Sequence, residues 1–227
     1  KNISINNIPL NFSIQGEDKT TLYIELKEPL LPNQKVIVHM EYKVKLPTTK
    51  DRFGYGDRTV NFGNWYPIVC VYDENGWNTD LYYKIGDPFY SDIANYNITI
   101  NVGKDTIIAS SGNILSDKII GDDRIYEIEG KLIRDFAWVA SKDFKIAERE
   151  VDGTLIKLYY LDKNPLMVKE SLNIGKNALK IFNKLFGQYP YGIYSIVMTE
   201  FPSGMEYPGI VFIGEEYFKN SLTYILE

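Results

Sequence analysis

One cysteine and one histidine among 227 residues leave several chemistries short of side chains. Cys70 has no partner for an internal disulfide, and the run Ile68-Val69-Cys70-Val71 favours a buried thiol packing as a small hydrophobe. A zinc site draws three or four protein ligands, commonly two histidines one helical turn apart. His39 cannot supply that set, and no metal is expected to bind this chain. It stands among the polar residues of an alternating segment and reads as a solvated side chain, while a Ser-His-Asp triad would have to use the same histidine. Acidic residues outnumber basic ones, 30 to 25, and the formal net charge of −5 carries no footprint for nucleic acid or anionic membrane. No run approaches the roughly 18 apolar residues of a membrane span, and no apolar leader follows Lys1. A soluble polypeptide without a transmembrane segment is expected, its localisation open between cytoplasm, secretion and membrane association. The first residue is not Met, and Glu227 follows the apolar stretch Leu222-Thr223-Tyr224-Ile225-Leu226, so both ends are expected to be cuts in a longer protein.

What the chain does have is 44% hydrophobic residues, enough for a sizeable core, arranged first at one period and then at another. From Val36 to Leu46 the even positions are apolar and the odd ones from His39 to Lys45 polar, which predicts a half-buried strand ended by Pro47. Tyr96, Ile98, Ile100 and Val102 repeat the pattern up to Gly103. Shorter strands are expected at 22–26, 107–110, 124–128, 136–140, 144–147 and 155–160, with hairpin turns at Gly121-Asp122-Asp123 and Asp152-Gly153. After Asp162 the spacing becomes helical. Asn164 suits an N-cap and Pro165 a first turn, Val168, Leu172, Gly175, Leu179, Phe182 and Phe186 form one stripe, and Gly187 suits the C-terminus. A helix over about 164–186 follows, then strands near 195–199 and 210–213. The fold class expected is a mainly β N-terminal domain, 1–150, followed by the start of an incomplete α/β domain, 151–227. Gly54-Tyr55-Gly56 lacks the strand and helix of a nucleotide-binding turn and reads as a flexible loop, and the sequon Asn97-Ile98-Thr99 lies inside a predicted strand.

The segment Phe201-Pro202-Ser203-Gly204-Met205-Glu206-Tyr207-Pro208-Gly209-Ile210-Val211-Phe212 sets one carboxylate among residues that let backbone approach a ligand closely. An isolated Glu in a Gly/Pro-rich turn is usually solvated. Between two short strands, however, such a carboxylate can hold an ammonium group by charge-assisted hydrogen bonds. Ser203-Gly204-Met205-Glu206-Tyr207 resembles the Gly-Ala-Met-Glu-Asn exopeptidase motif of the M1 (gluzincin) zinc aminopeptidases, and Gly209 matches the glycine that commonly follows it. Phe186-Gly187-Gln188-Tyr189-Pro190-Tyr191, Trp65-Tyr66-Pro67 with Tyr72-Asp73-Glu74, the strand Asn95–Val102 and Ile108-Ala109-Ser110-Ser111-Gly112 are similar to further elements of that family. The resemblance spans about Trp65 to Phe212.

It implies a thermolysin-like catalytic segment in 151–227 and a parent enzyme that removes N-terminal residues from peptides. Glu206 would bind the substrate's free α-amine, and Ser203, Gly204 and Met205 would line the peptide with backbone groups. The family adds a second acidic or amide residue near the amine, for which position leaves Asp57, Asn61 and Asn64 open. Tyr207 stands where the family usually has Asn, and Gly204 where it has Ala. The family's His-Glu-x-x-His helix follows its Met-Glu segment by a few tens of residues, so the parent is expected to use zinc while this chain stops before the site, binds peptide N-termini and does not cleave them. Leu222–Leu226 would lead into that helix. Two other readings remain: a scaffold that kept the architecture without zinc, and a carbohydrate-binding β domain using Trp65, Tyr66, Trp77, Tyr82, Tyr83 and Tyr90.

Overall fold

A computed structural model of the chain describes residues 2–83, 86, 89–162 and 164–218; Leu222–Leu226 lie outside them. The protein is mainly β, with 45% strand and 12% helix. By packing it falls into two compact units, one made of 1–45 and 68–92, the other of 46–67 and 93–227. Strands are numbered β1 to β19 along the chain.

The first unit holds β1 (Asn2–Ile5), β2 (Ile8–Pro9) and β5 (Val38–Glu41) in one sheet, with the hairpins β3 (Phe12–Gln15)/β4 (Thr21–Ile24) and β8 (Tyr72–Asp73)/β9 (Gly76–Trp77). Among its described residues only Ile3 and Val71 are fully buried hydrophobics. The strand expected over 36–46 is accordingly shorter. Only Val38–Glu41 pairs, with β1, and Val38, Tyr42 and Val44 are exposed, since the first unit's described residues bury little apolar surface. His39 is exposed, as the alternation implies. Cys70 is half-buried rather than buried: Ile68–Val71 forms no regular strand, and Val69 beside the thiol is 78% exposed.

The second unit is layered. A sheet in the order β10 (Ala94–Gly103), β13 (Asp123–Ile133), β12 (Asn113–Ile120) faces a sheet in the order β11 (Ile107–Ser110), β14 (Trp138–Ser141), β7 (Val60–Phe62), β6 (Phe53–Tyr55). Ile108, Trp138 and Ala140 of the second sheet join Ile100, Tyr126 and Ile128 of the first in one core, with Phe62 stacked on Trp138 at 3.8 Å between ring centroids. Ala109 and Val139 turn the other way, into a core with a third sheet. That is why all four residues of β14 are buried and none alternates to solvent. Gly54 and Tyr55, expected in a flexible loop, belong to β6, since the 47–63 segment supplies an edge strand pair here.

The third sheet is mixed, in the order β15 (Lys145–Val151), β16 (Thr154–Tyr160), β17 (Ile193–Thr199), β19 (Ile210–Gly214), β18 (Gly204–Tyr207). Residue 150 thus lies within a hairpin closed by Asp152-Gly153, both at positive φ. Between the parallel strands β16 and β17 runs α1 (Pro165–Phe186), whose Asn164 side chain accepts from the backbone of Leu166 and Met167. Gly175 lets the helix lie close on the sheet, because a Cβ there would stand 2.6 Å from Ile196 Cδ1. Leu172, Gly175 and Leu179 of the expected stripe are buried, but Phe182 and Phe186 are exposed; Met167 and Ser171 replace them on the buried face. Ile156, Leu158, Val197, Met198, Ile210 and Phe212 are essentially sealed from solvent, at about 1.5–3 kcal/mol each for the larger aliphatic and aromatic side chains.

Candidate functional site

The Met-Glu segment is not a loop but β18, the outermost strand of the mixed sheet among the described residues, joined to β19 by the turn at Pro208-Gly209. Pro followed by a glycine at φ +79° is the order of a type II turn. Gly209 meets a second demand as well. A Cβ on it would overlap the carbonyl of Ser111, and its own carbonyl accepts from Ser195 N at 2.8 Å.

Antiparallel pairing decides which backbone groups face outward. Gly214 N donates to Ser203 O at 2.9 Å, so the bonded pairs fall at Ser203/Gly214, Met205/Phe212 and Tyr207/Ile210. Gly204 and Glu206 therefore turn their N–H and C=O groups away from β19, along the outer edge. Of the three residues expected to line a peptide with backbone, Gly204 has this orientation, and Glu206 supplies the second pair of groups. Side chains alternate too: Met205 and Tyr207 pack against the core while Glu206 is exposed on the other face. Burial is the main reason that Tyr194 has a raised pKa, and the Glu206 charge adds to it.

The three candidates for a second amine residue part company. Asp57 has a side chain 92% exposed and pairs with Lys50 at 3.7 Å. Asn61, in β7, is buried, donates Nδ2 to Asp51 O at 2.8 Å, and has an Oδ1 without a partner. Asn64 is the one tied to β18. Tyr207 OH donates to its Oδ1 at 3.3 Å, and its Nδ2 donates to Asp135 at 2.8 Å. Asp135 also accepts from Tyr66 OH at 3.0 Å. Gly63 makes room for the Tyr207 hydroxyl, which a Cβ there would overlap. Tyr207 thus has a structural use for its reach, on the face opposite to that of Glu206.

Sequence reasoning passed over Glu200. Its side chain is 5% exposed, just past β17, and it accepts from Arg58 N at 2.7 Å, Thr59 N at 3.1 Å and Lys50 Nζ at 3.0 Å. Thr59 Oγ1 accepts in return from Glu200 N at 3.3 Å. Burial alone would raise the Glu200 pKa, but these donors, with the Asp57 N–H, outweigh it and bring the value down to about 2. A carboxylate held below its ordinary 4.5 contributes stability above that pH, and the contribution is lost as pH falls towards 2. Between pH 4.5 and pH 2 the part lost amounts to about 2–3 kcal/mol. Urea unfolding between pH 4.5 and 2 should therefore show the wild type losing that much more stability than Glu200→Gln; parallel curves would contradict the assignment.

No three His, Cys, Asp or Glu among the described residues form a group able to hold a metal ion. The described residues do not fit a zinc site. No described helix is long and apolar enough to cross a membrane. The six aromatic residues suggested for sugar binding divide between the units: Trp65 and Tyr66 pack against the second unit's core, while Trp77, Tyr82, Tyr83 and Tyr90 are exposed in the first. Compared with protein-family models and with curated proteins, the chain finds no match.

Proposed function

We propose that the chain is the amine-recognising front part of an M1-type zinc aminopeptidase, with Glu206 as the acceptor for a peptide's α-ammonium. The observation that carries this is the position of an exposed carboxylate on an outermost strand whose flanking backbone groups face outward. An extended peptide added to that edge would exchange hydrogen bonds with Gly204 and Glu206, and its first residue would end at the Glu206 side chain. The mixed sheet with one crossover helix suits the α/β catalytic segment that the resemblance implies. Hydrolysis is assigned to the longer parent and its zinc, since His39 is the chain's one histidine and lies in the first unit.

Titrating the labelled chain with a short free-amine peptide should shift the backbone resonances of Gly204 and Glu206 first. N-acetylation should weaken binding at least about tenfold, because a hydrogen bond to a charged group contributes roughly 1.5–3 kcal/mol. Equal affinity for both peptides, or shifts confined to other strands, would remove the reading.

A further inference from the structure

The parallel neighbours β17 and β19 end at Thr199 and Gly214, on either side of the segment that carries Glu206, and one loop holds the residue that follows each of them, Glu200 and Glu215. That loop is 56–59, between β6 and β7. Its consecutive N–H groups close on the Glu200 carboxylate from one side, while the Arg58 guanidinium pairs with Glu215 and, at 3.7 Å, with Asp162. Lys50 completes the enclosure of Glu200. Gly56 is part of the fit, since a Cβ there would run into the Glu200 carboxylate. Successive backbone N–H groups aimed at one anion form a preformed concavity for negative charge, and here the protein's own side chain fills it.

We propose that loop 56–59 with Lys50 is a clamp across the base of the Met-Glu hairpin, and that Arg58 and Glu200 are positioning residues which set where Glu206 presents its carboxylate. The second half of this rests on the peptide-binding reading; the first half does not. The pieces are far apart in the chain, Arg58 and Glu200 by 142 residues, so the contact is a tertiary one and not a by-product of the turn. Gly214 adds to the fixation inside the hairpin, its N–H on Ser203 O and its Cα against the carbonyl of Phe201. Two charged residues just past the ends of β17 and β19, served by one loop, hold those two ends together, and the Ser203–Gly214 bond passes that restraint on to the start of β18.

The test uses the whole chain with Arg58→Gln, which removes the guanidinium from Glu215 but leaves the backbone N–H that serves Glu200. Glu200→Gln is the complementary variant and Arg58→Lys the conservative one. Arg124→Gln is the control, because Arg124 makes a two-point pair with Asp117 in the remote β12–β13 hairpin. Hydrogen exchange over residues 201–214 should speed up at least about tenfold in Arg58→Gln and Glu200→Gln, less in Arg58→Lys, and not in Arg124→Gln. The same two variants should shrink the affinity gap between free-amine and N-acetylated peptide about threefold or more, with affinity for the acetylated peptide unchanged. Unaltered exchange would overturn the clamp. Faster exchange with the full wild-type gap retained would overturn the positioning role. If wild type shows no gap at all, it is the peptide-binding reading that has failed, and exchange alone then decides for or against the clamp.

Discussion

On the proposed reading, Glu206→Gln in the zinc-bearing parent is expected to lower kcat/KM for free-amine peptides by roughly 2–4 kcal/mol, about 30- to 1000-fold, with folding and zinc content unchanged. The substitution keeps the side chain's size and one acceptor oxygen and removes the charge. On an exposed face that would matter little, since a solvated carboxylate contributes about 0–1 kcal/mol to a contact. The larger figure applies because a peptide lying along β18 would cover Glu206 and leave the ammonium no water in exchange. Substrates with a blocked amine have no ammonium to lose, so the ratio between free and N-acetylated peptides should collapse while the rate on the acetylated ones stays low and constant. Steady-state kinetics on a matched peptide pair measures this directly. Equal losses on both substrates would show Glu206 to be a structural residue of the edge strand.

Gly209→Ala should destabilise the second unit by about 3 kcal/mol or more, which for a unit of this size lowers Tm by roughly 6–12 °C. Two costs combine. The residue sits at φ +79°, where a Cβ is strained, and that Cβ would also overlap the backbone carbonyl of Ser111, which has no side-chain freedom with which to retreat. Gly153→Ala is the matched comparison. It shares the positive φ, +82°, but a Cβ there meets nothing within 4 Å, so only the strain of about 1–2 kcal/mol should appear. Thermal unfolding of both variants separates the terms; equal Tm losses would mean that the close approach to Ser111 relaxes without cost.

Much of the second unit was legible because its signals are local. Asn164, Pro165 and Gly187 bracket α1 to within a residue, and the alternation at Tyr96–Val102 and the apolar runs at 107–110 and 155–160 mark strands that the sheet uses. The helical stripe misled at Phe182 and Phe186, where the helix's last turns lie beyond what its own sheet covers. Asn113–Ile120 escaped notice, since Leu115, Ile119 and Ile120 are exposed on a sheet edge and give no clean period. The first unit is hardest to read: its alternating residues meet little core, so pattern and burial separate. At the site, Glu206 stood out through its short neighbours, but no local pattern marks Glu200, Arg58 or the Tyr207–Asn64 bond. Each of these depends on two segments more than a hundred residues apart, and sequence spacing holds no information on such pairs.

The excursion of residues 46–67 out of one unit and into the other has a consequence for any attempt to divide the protein. A fragment beginning at Ile93 would contain the Met-Glu hairpin and both of its acidic ends, yet it would lack β7, leaving the ladder edge of Trp138–Ala140 unpaired and stacked Trp138 without Phe62. Such an edge invites pairing with another chain. The Glu200 carboxylate would at the same time lose its enclosing amides and draw in water. The minimal folding piece is therefore discontinuous, and a working miniature would need 46–67 grafted back on by a short linker, not a single cut.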